Sequence, residues 1–481
     1  MEYLTADLAE NMAAIEDRFR GDGTLKKRRL RSGGPAPRAM CLYFCDGMVA
    51  TINLALAVVA PLTAWEPTEG TLEELQQRQV LAGEAAAENK LQKLLHALVY
   101  GDTILLLEGS DKALILGTKG FDRRSVQEPV GEQVVHGPKE GFCETMMTNL
   151  ALLRRRVRTP ALRLEFLELG TVTHTSCCLC WIEGVADTGV LAEVKKRLTG
   201  VQLDGVFSTS YVAECIRDRK WSPVRTTGST ERPDVLAAKL LEGRVGLLVD
   251  GSPTALTMPY LYIEHFQDCR DYYQTFVYSS VARMLRVLAY LLAIGAIPAF
   301  LALLYHHPHL LPDKLLYTII SARAGVPMPA WAEMVVLVLF FDLLQEAGLS
   351  TPASASQPLS IVGALVLGQA AVEARFVSAP MVILVAVGGI AALLMTRMRG
   401  AVLIFRAGLM ALALAFGLWG VGIGLMAIQF YMVSIRSFGV PVMFGTIYHP
   451  GTGHEDSVTR PPFFKMKKRG RFLAKNGKEQ P

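Results

Sequence analysis

The chain has 481 residues, of which 51% are hydrophobic and 19% are charged, and its formal net charge is +5. It is more apolar than an average soluble protein of this length, and its modest positive charge does not indicate a nucleic-acid-binding protein. The apolar residues are concentrated after about Val281. We therefore expect a soluble α/β part followed by an all-α multipass membrane domain.

The first segment, residues 1–38, is predicted to be flexible and basic. It lacks the apolar stretch of a signal peptide, so we expect the N-terminal portion to stay in the cytoplasm. Its basic cluster, Lys26–Arg31, has a counterpart at Lys465–Arg471 near the other end of the chain. Beside a membrane domain such clusters contact anionic lipid or are simply solvated. The sequence leaves both alternatives open.

The soluble part resembles a duplicated unit. "LYFCDGMVA" (Leu42–Ala50) is similar to "LCWIEGVAD" (Leu179–Asp187), and "LLLEGSDKALIL" (Leu105–Leu116) is similar to "LLVDGSPTALTM" (Leu247–Met258). The second pair is typical of a strand, an acidic-Gly-Ser turn and another strand. The separations are nearly equal, so we predict two related α/β subdomains, at 39–170 and 171–280.

The soluble part carries no set of residues that indicates an enzyme. Cys177, Cys178 and Cys180 are too close together for a common zinc site, and buried cysteines on a strand are the better interpretation. The acidic residues that precede glycines are interpreted as turn residues: Asp46, Glu108, Glu183 and Asp250. We therefore expect no catalytic residues, metal or cofactor.

The membrane domain is predicted at 281–436, and its first span is Val287–Tyr305, nineteen residues without a charge. Pro329–Leu349 is apolar but carries Glu333, Asp342 and Glu346. A carboxylate at mid-membrane costs about 3 kcal/mol, so this segment is a poor independent span. We expect a short, tilted or in-plane helix that leans on its neighbours or on water.

The next segment is too short to cross a bilayer, because the uncharged residues from Leu359 to Val372 extend only about 21 Å as a helix. Two faces of this helix differ. The face predicted to line a pore holds Val362, Val366, Gln369 and Glu373. The face predicted to pack against another helix holds the small residues Ala364, Gly368 and Ala371. The alternative, that Gln369 and Glu373 bond to neighbouring helices, has equal weight.

Two clearer spans follow, at Val377–Met395 and Ala407–Ile435, and the basic tail 437–481 ends the chain. Arginines at both ends of the last helix conflict with the positive-inside rule. The tail carries more positive charge, so we place the C-terminus in the cytoplasm, with four full crossings. A fifth crossing, with the tail outside, is the alternative. The glycines of "WGVGIG" are interpreted as helix-packing positions rather than as a dinucleotide loop.

Several ordered motifs resemble the A subunit of spore germinant receptors, the GerA family. The resemblance extends from about Ala39 to Pro441, and its motifs are "GDTILLLEGSDKALILGTKGFDRRSVQEP", "GPKEGFCETMMTNLALLRRRV", "STERPDVLAAKLLEGRVGLLVDGSPTALTMP", "DYYQTFVYSSVARMLR", "GVPMPAWAEM", "SIVGALVLGQAAVEA" and "RSFGVP". Two positions depart from the family pattern. Arg375 replaces a habitual glycine, and "PASASQP" (Pro352–Pro358) replaces a proline-rich motif.

The resemblance implies a multipass protein of the spore inner membrane whose N- and C-termini are cytoplasmic. It implies a homo-oligomer that acts as a nutrient-gated monovalent cation channel with a transporter-like B subunit and a lipoprotein C subunit. A related membrane protein that amplifies germination without sensing a nutrient, a secondary transporter and a non-conducting scaffold are the alternatives. The germinant and the subunit number do not follow from the sequence.

Overall fold

The computed structural model of the chain describes residues 2–34, 37–67, 71–120, 128–129, 131–350, 368–444 and 456–466. Two α/β sheets come first along the chain, and a layer of long helices follows. Each sheet has five antiparallel strands. This agrees with the predicted order of a soluble α/β part followed by helices.

The first sheet has the strand order β1-β2-β4-β5-β3. Helices cover both faces, and two of them contain π-helical turns, at Leu54–Val59 and Leu75–Gln79. The strands are β1 (Leu25–Arg31), β2 (Ala39–Cys45), β3 (Ala85–Glu88), β4 (Thr103–Leu107) and β5 (Ala113–Leu116). The helices are α1 (Leu8–Arg18), α2 (Thr51–Ala64), α3 (Leu72–Glu74, continued by the π-helical turn Leu75–Gln79) and α4 (Leu91–Tyr100).

The second sheet has the order β6-β7-β9-β10-β8, which is the same order shifted by five strands. Its strands are β6 (Leu162–Leu169), β7 (Thr175–Ile182), β8 (Gly228–Thr230), β9 (Val245–Val249) and β10 (Ala255–Met258). Its helices are α5 (Met146–Arg156), α6 (Thr188–Thr199), α7 (Thr209–Cys215) and α8 (Pro233–Leu241). The shared strand order agrees with the predicted duplication.

The repeated unit differs from the predicted bounds in two places. Residues 1–38 are not simply a flexible segment, because they include α1 and β1, and β1 pairs with β2 along its whole length. Leu30 points into the core while the cationic side chains face outward, so the basic cluster Lys26–Arg31 forms a charged edge strand. Likewise α5 and β6 belong to the second sheet, although the bounds 39–170 assign them to the first. We therefore propose to divide the two units ahead of Met146.

The helical layer begins with α9 (Phe276–His306), which contains the predicted span Val287–Tyr305. The remaining helices are α10 (Asp313–Arg323), α11 (Ala330–Ser350), α12 (Ala379–Leu393) and α13 (Arg399–Ser434), with a short helical segment at 368–373. We call the end beside the sheets proximal and the opposite end distal. Helix α11 starts at the distal end, where the Trp331 amide donates to the Tyr305 hydroxyl at 3.3 Å. Its later residues pair with Arg399 and Arg406 of α13, so α11 runs antiparallel to α9, and its predicted in-plane or tilted placement in a membrane stays a prediction.

Helix α13 folds back on itself at Gly417, whose backbone has φ +60° and ψ −140°. A Cβ atom at Gly424 would lie 2.5 Å from Leu409, although fifteen residues of straight helix extend about 22 Å. At Gly420 a Cβ atom would lie 2.0 Å from the Leu412 carbonyl oxygen. The predicted single span Ala407–Ile435 is therefore wrong. The chain forms two antiparallel arms, and these glycines permit their close approach, in agreement with the packing interpretation.

By length and composition alone, two helical stretches of the described residues are apolar enough to cross a membrane, Phe276–His306 and Thr396–Ser434. This is fewer than the four or five predicted crossings. The second of them contains the folded helix α13, so the arginines that flank it lie at the same proximal end. The fold-back thus removes the conflict between the positive-inside rule and a single helix with basic ends.

The apolar core of the second sheet continues into the helical layer. Leu261 and Ile263, which follow β10, are buried in one cluster with Tyr290 of α9 and Phe405 of α13. After α13 the chain returns to the sheets, forming the short strands β11 (Arg436–Ser437) and β12 (Val440–Pro441). The Tyr262 amide donates to the Val442 carbonyl at 2.9 Å. The beginning of the predicted tail is therefore ordered against the second sheet.

Candidate functional site

The three intramembrane acids predicted on α11 have different surroundings. Glu333 is fully buried, and it accepts hydrogen bonds from the Ser378 amide at 2.5 Å and the Ser378 hydroxyl at 2.6 Å. The Arg323 guanidinium contributes a third interaction at 3.3 Å. A buried carboxylate with three donors is compensated for its loss of hydration. Glu333 therefore joins the distal ends of α10, α11 and α12.

The other two acids face the first arm of α13. Asp342 pairs with Arg406 at 2.7 Å, and Glu346 pairs with Arg399 at 3.1 Å. The predicted span began at Ala407, whereas Arg406 lies inside α13 with only 4% of its surface exposed. Its spacing of seven residues from Arg399 places both arginines on one helical face. The spacing of Arg399 and Arg406, together with the four-residue spacing of Asp342 and Glu346, is the sequence pattern that indicates two ion pairs between facing helices.

The predicted pore face is only partly described. Val362 and Val366 lie outside the described residues. Gln369 and Glu373 lie four apart in the helical segment 368–373 and are both exposed. Neither side chain forms a hydrogen bond or ion pair with the residues that the structure describes. The pore assignment and its alternative stay predictions.

The predicted packing face is also only partly described, because Ala364 lies outside the described residues. Gly368 and Ala371 are half-buried. A Cβ atom at Gly368 would have open space around it among the described residues. Close packing at Gly368 would thus need a further helix, from this chain or another.

Arg375 follows this segment in a left-handed backbone conformation, with φ +54°. The amides of Arg375 and Phe376 donate to the carbonyls of Val372 and Ala371 at 3.0 Å and 2.9 Å. This is the geometry of a helix C-terminus in which the left-handed residue is usually glycine. The left-handed backbone conformation therefore explains why the family usually has glycine at this position.

The junction between the sheets and α9 is held by two arginines in the first turns of that helix. Arg283 pairs with Asp271 at 2.9 Å and also with Asp456, and Arg286 pairs with Asp271 at 2.7 Å. Asp271 precedes α9, whereas Asp456 belongs to the C-terminal segment 456–466. The base of α9 is thus tied to both chain segments.

A second junction involves Arg397, which lies between α12 and α13. Its guanidinium donates to the Glu132 carboxylate at 2.8 Å, and the Thr230 hydroxyl of β8 donates to the same carboxylate at 2.6 Å. Glu132 belongs to the connection between the two sheets. No local sequence pattern indicates this contact, because the two charges lie more than 260 residues apart.

Buried charges lie beside this second junction. Burial opposes ionisation of Glu264, but the positive charges of Arg244 and Lys239 outweigh it and lower the pKa of the carboxyl to about 2. Burial lowers the pKa of the adjacent His265 to about 3, and the positive charge of Arg397 adds to this effect. Glu264 is therefore charged and His265 neutral at pH 7.

The cysteine group lies on β7, and Cys177, Cys178 and Cys180 are buried, as predicted. Burial raises the pKa of the Cys177 thiol to about 12, and the nearby negative charge of Asp250 adds to this effect. A thiol with such a pKa is a poor nucleophile and metal ligand. Within the described ranges, no three His, Cys, Asp or Glu side chains gather as a metal site would require.

Residues 13–472 match the family of the Bacillus/Clostridium GerA spore germination protein. Spore germination protein KA of Bacillus subtilis (strain 168) is 32% identical over 479 residues, which cover 99% of this chain and 88% of that protein. Spore germination protein A1 of the same organism is 33% identical, covering 96% and 94%. The uncharacterized membrane protein YfkQ, also from that strain, is 36% identical, covering 85% and 80%.

A solved structure is also similar to the first part of the chain. It is the N-terminal domain of the A subunit of the Bacillus megaterium spore germinant receptor GerK3, with 29% sequence identity and a TM-score of 0.41. The match covers 54% of this chain and 97% of that one.

Proposed function

Because this chain belongs to the GerA family of spore germination proteins, we propose that it is the A subunit of a nutrient-responsive germinant receptor. We propose that copies of the chain assemble in the spore inner membrane and surround a path for monovalent cations. The assembly would act with a transporter-like B subunit and a lipoprotein C subunit. The family is not known as one of enzymes.

The observation that supports a cation path is the polar face formed by Gln369 and Glu373. In one copy of the chain these side chains are exposed beside an apolar helical layer, and no described residue neutralises the carboxylate. Exposed carboxylates are costly in lipid. A ring of such residues around a water-filled path removes that cost and attracts cations.

A multipass arrangement is supported by the directions of the helices. The segment 456–466 lies at the base of α9, at the proximal end of the helical layer, and α1 packs on the first sheet. Helices α9, α11, α12 and the two arms of α13 run between the proximal and distal ends. With the basic residues at the proximal end, this end would face the cytoplasm.

The function can be tested in spores that lack the chain and are complemented by variants of it. Spores with the unchanged chain should release potassium soon after nutrient is added. Glu373→Gln should lower the initial release rate by roughly tenfold, because the carboxylate concentrates cations in the path. Val362→Ala or Val366→Ala should cause release without nutrient. A response that none of the three changes affects would contradict the pore assignment.

The same spores distinguish the alternatives. The first alternative is a membrane protein that amplifies germination without sensing a nutrient. An amplifier would change the response to every nutrient, whereas a receptor subunit affects only its own set. A secondary transporter would show saturable exchange of a substrate instead of conductance.

A further inference from the structure

Trp221 is the most exposed large apolar side chain of the described residues, with 99% of its surface accessible. A tryptophan side chain usually buries 150–250 Å² in a core or an interface. The proposed role in germination does not explain why the Trp221 side chain is exposed. Its position beside the helical layer indicates what covers it.

The loop 217–222 contacts the last turn of α13. The Tyr431 hydroxyl donates to the Ser222 hydroxyl oxygen at 2.8 Å, and Arg219 donates to the Ser434 carbonyl at 3.4 Å. Adjacent Cα atoms lie about 3.8 Å apart, so the backbone of Trp221 also lies beside this turn. Trp221 is therefore fixed at the level where α13 ends.

That level is the edge of the apolar surface of the helices. Phe430 and Val433 belong to the same last turn, and both are exposed apolar residues. Beyond Ser434 the chain enters the polar α/β part. The boundary between lipid and water would thus fall close to the loop, where tryptophan and tyrosine are enriched in membrane proteins.

The charge of the loop suits an anionic surface. Lys220 and Arg219 are exposed. The carboxylate of Asp218 is already engaged by Arg197 at 2.9 Å and by the Phe438 amide at 3.1 Å. Lysine and arginine side chains at such a boundary extend toward lipid phosphates.

We propose that the loop 217–222 is a membrane-interface anchor. The indole of Trp221 enters the headgroup region of the bilayer that holds α9 and α13, and the Lys220 ammonium contacts lipid phosphate. The anchor rests on the membrane location in the proposed function. It would hold the second sheet against the membrane surface on the side of α13.

The test uses the full chain in nanodiscs of anionic lipid brominated near the headgroup, since bromine quenches indole fluorescence on contact. The emission of Trp221 is obtained by subtracting the spectrum of the Trp221→Phe variant from that of the unchanged chain. We expect bromine to reduce this emission by at least about twofold, because the indole lies at headgroup depth. Replacing the anionic lipid by a zwitterionic one, or Lys220→Gln, should weaken the quenching.

Two further variants separate the possible failures. Trp419→Phe reports an exposed indole beside the fold-back of α13, which should be quenched in any membrane-inserted chain. Trp181→Phe reports a buried indole of β7, which should not be quenched. Quenching of Trp419 without quenching of Trp221 would overturn the anchor and indicate water, a partner or a second copy around the loop. Absence of quenching at both would contradict the membrane location itself.

Discussion

Arg375 has a backbone conformation that L-residues with side chains adopt at a cost of about 1–3 kcal/mol. Glycine adopts it freely, so Arg375→Gly should stabilise the folded chain by roughly 1 kcal/mol. Thermal unfolding of the purified chain in detergent measures the difference. The charge of Arg375 could also affect stability, and a second variant measures that contribution separately.

Arg375→Ala is the matched control, because it removes the charge but keeps the Cβ atom. If backbone strain dominates, the alanine variant should not gain the stability of the glycine variant. Equal gains in both variants would assign the effect to the guanidinium instead. The prediction at this residue thus separates conformation from charge.

His265 is neutral in the folded chain, because burial lowers its pKa to about 3 from an ordinary value near 6.5. The unfolded chain therefore binds one more proton than the folded chain between these pH values. Stability from this group is complete above pH 6.5 and falls by about 1.4 kcal/mol per pH unit as the pH decreases toward 3.

Unfolding by urea between pH 7 and pH 5 measures this slope, above the range in which the carboxyl of Glu264 titrates. His265→Gln should make the slope shallower by about one proton. His96→Gln, which changes an exposed histidine of α4, should leave the slope unchanged. Identical slopes in all three proteins would show that His265 does not carry the effect.

At the scale of elements, the fold-back of α13 depends on Gly417. A Cβ atom there would lie 2.7 Å from the Cβ of His306, and the backbone conformation excludes other residues. Gly417→Ala should therefore destabilise the chain by at least about 2 kcal/mol. Thermal unfolding in detergent measures this loss.

Gly422→Ala is the control for this fold-back, because a Cβ atom at Gly422 would meet open space. Alanine is favoured over glycine inside a helix by up to about 1 kcal/mol, so this variant should be as stable as the unchanged chain or more so. If Gly417→Ala behaved in the same way, the second arm would have to be a continuation of the first.

The sequence allowed some elements to be predicted and concealed others. The two sheets were predictable, because their strand and turn motifs recur at nearly equal spacing and the central strands are short apolar runs that are buried throughout. The fold-back was not, because Gly417 lies in an apolar run where several glycines have the same local pattern. Strand β1 was missed because its four consecutive basic residues show no apolar alternation, and Leu25 and Leu30, five residues apart, lie on opposite faces of the strand.

At the scale of the whole molecule, the α/β part and the helices share contacts that the sequence could not reveal. The pairs of Arg283 with Asp456 and of Arg397 with Glu132 join residues that are far apart in the chain. A single sequence gives no register for such long-range pairs. The helical period predicts that Gln369 and Glu373 share a face, but a single sequence does not show which residues surround that face, and its role in a pore stays a prediction.

These junctions give the helical layer two fixed points on the α/β part, the base of α9 and the turn before α13. The Arg283–Asp271 pair is buried, whereas Arg397 in the second junction keeps 36% of its side-chain surface exposed.

The most direct test of the cation path is the reversal potential of the purified chain in a planar bilayer under a potassium chloride gradient. We predict a conductance that favours potassium over chloride, and a shift of the reversal potential toward zero in Glu373→Gln. Glu346→Gln, which changes an acid paired with Arg399, is the matched control and should keep the original value. A conductance with equal selectivity in all three proteins, or a bilayer that stays ion-tight with the partner subunits and nutrient present, would contradict the account.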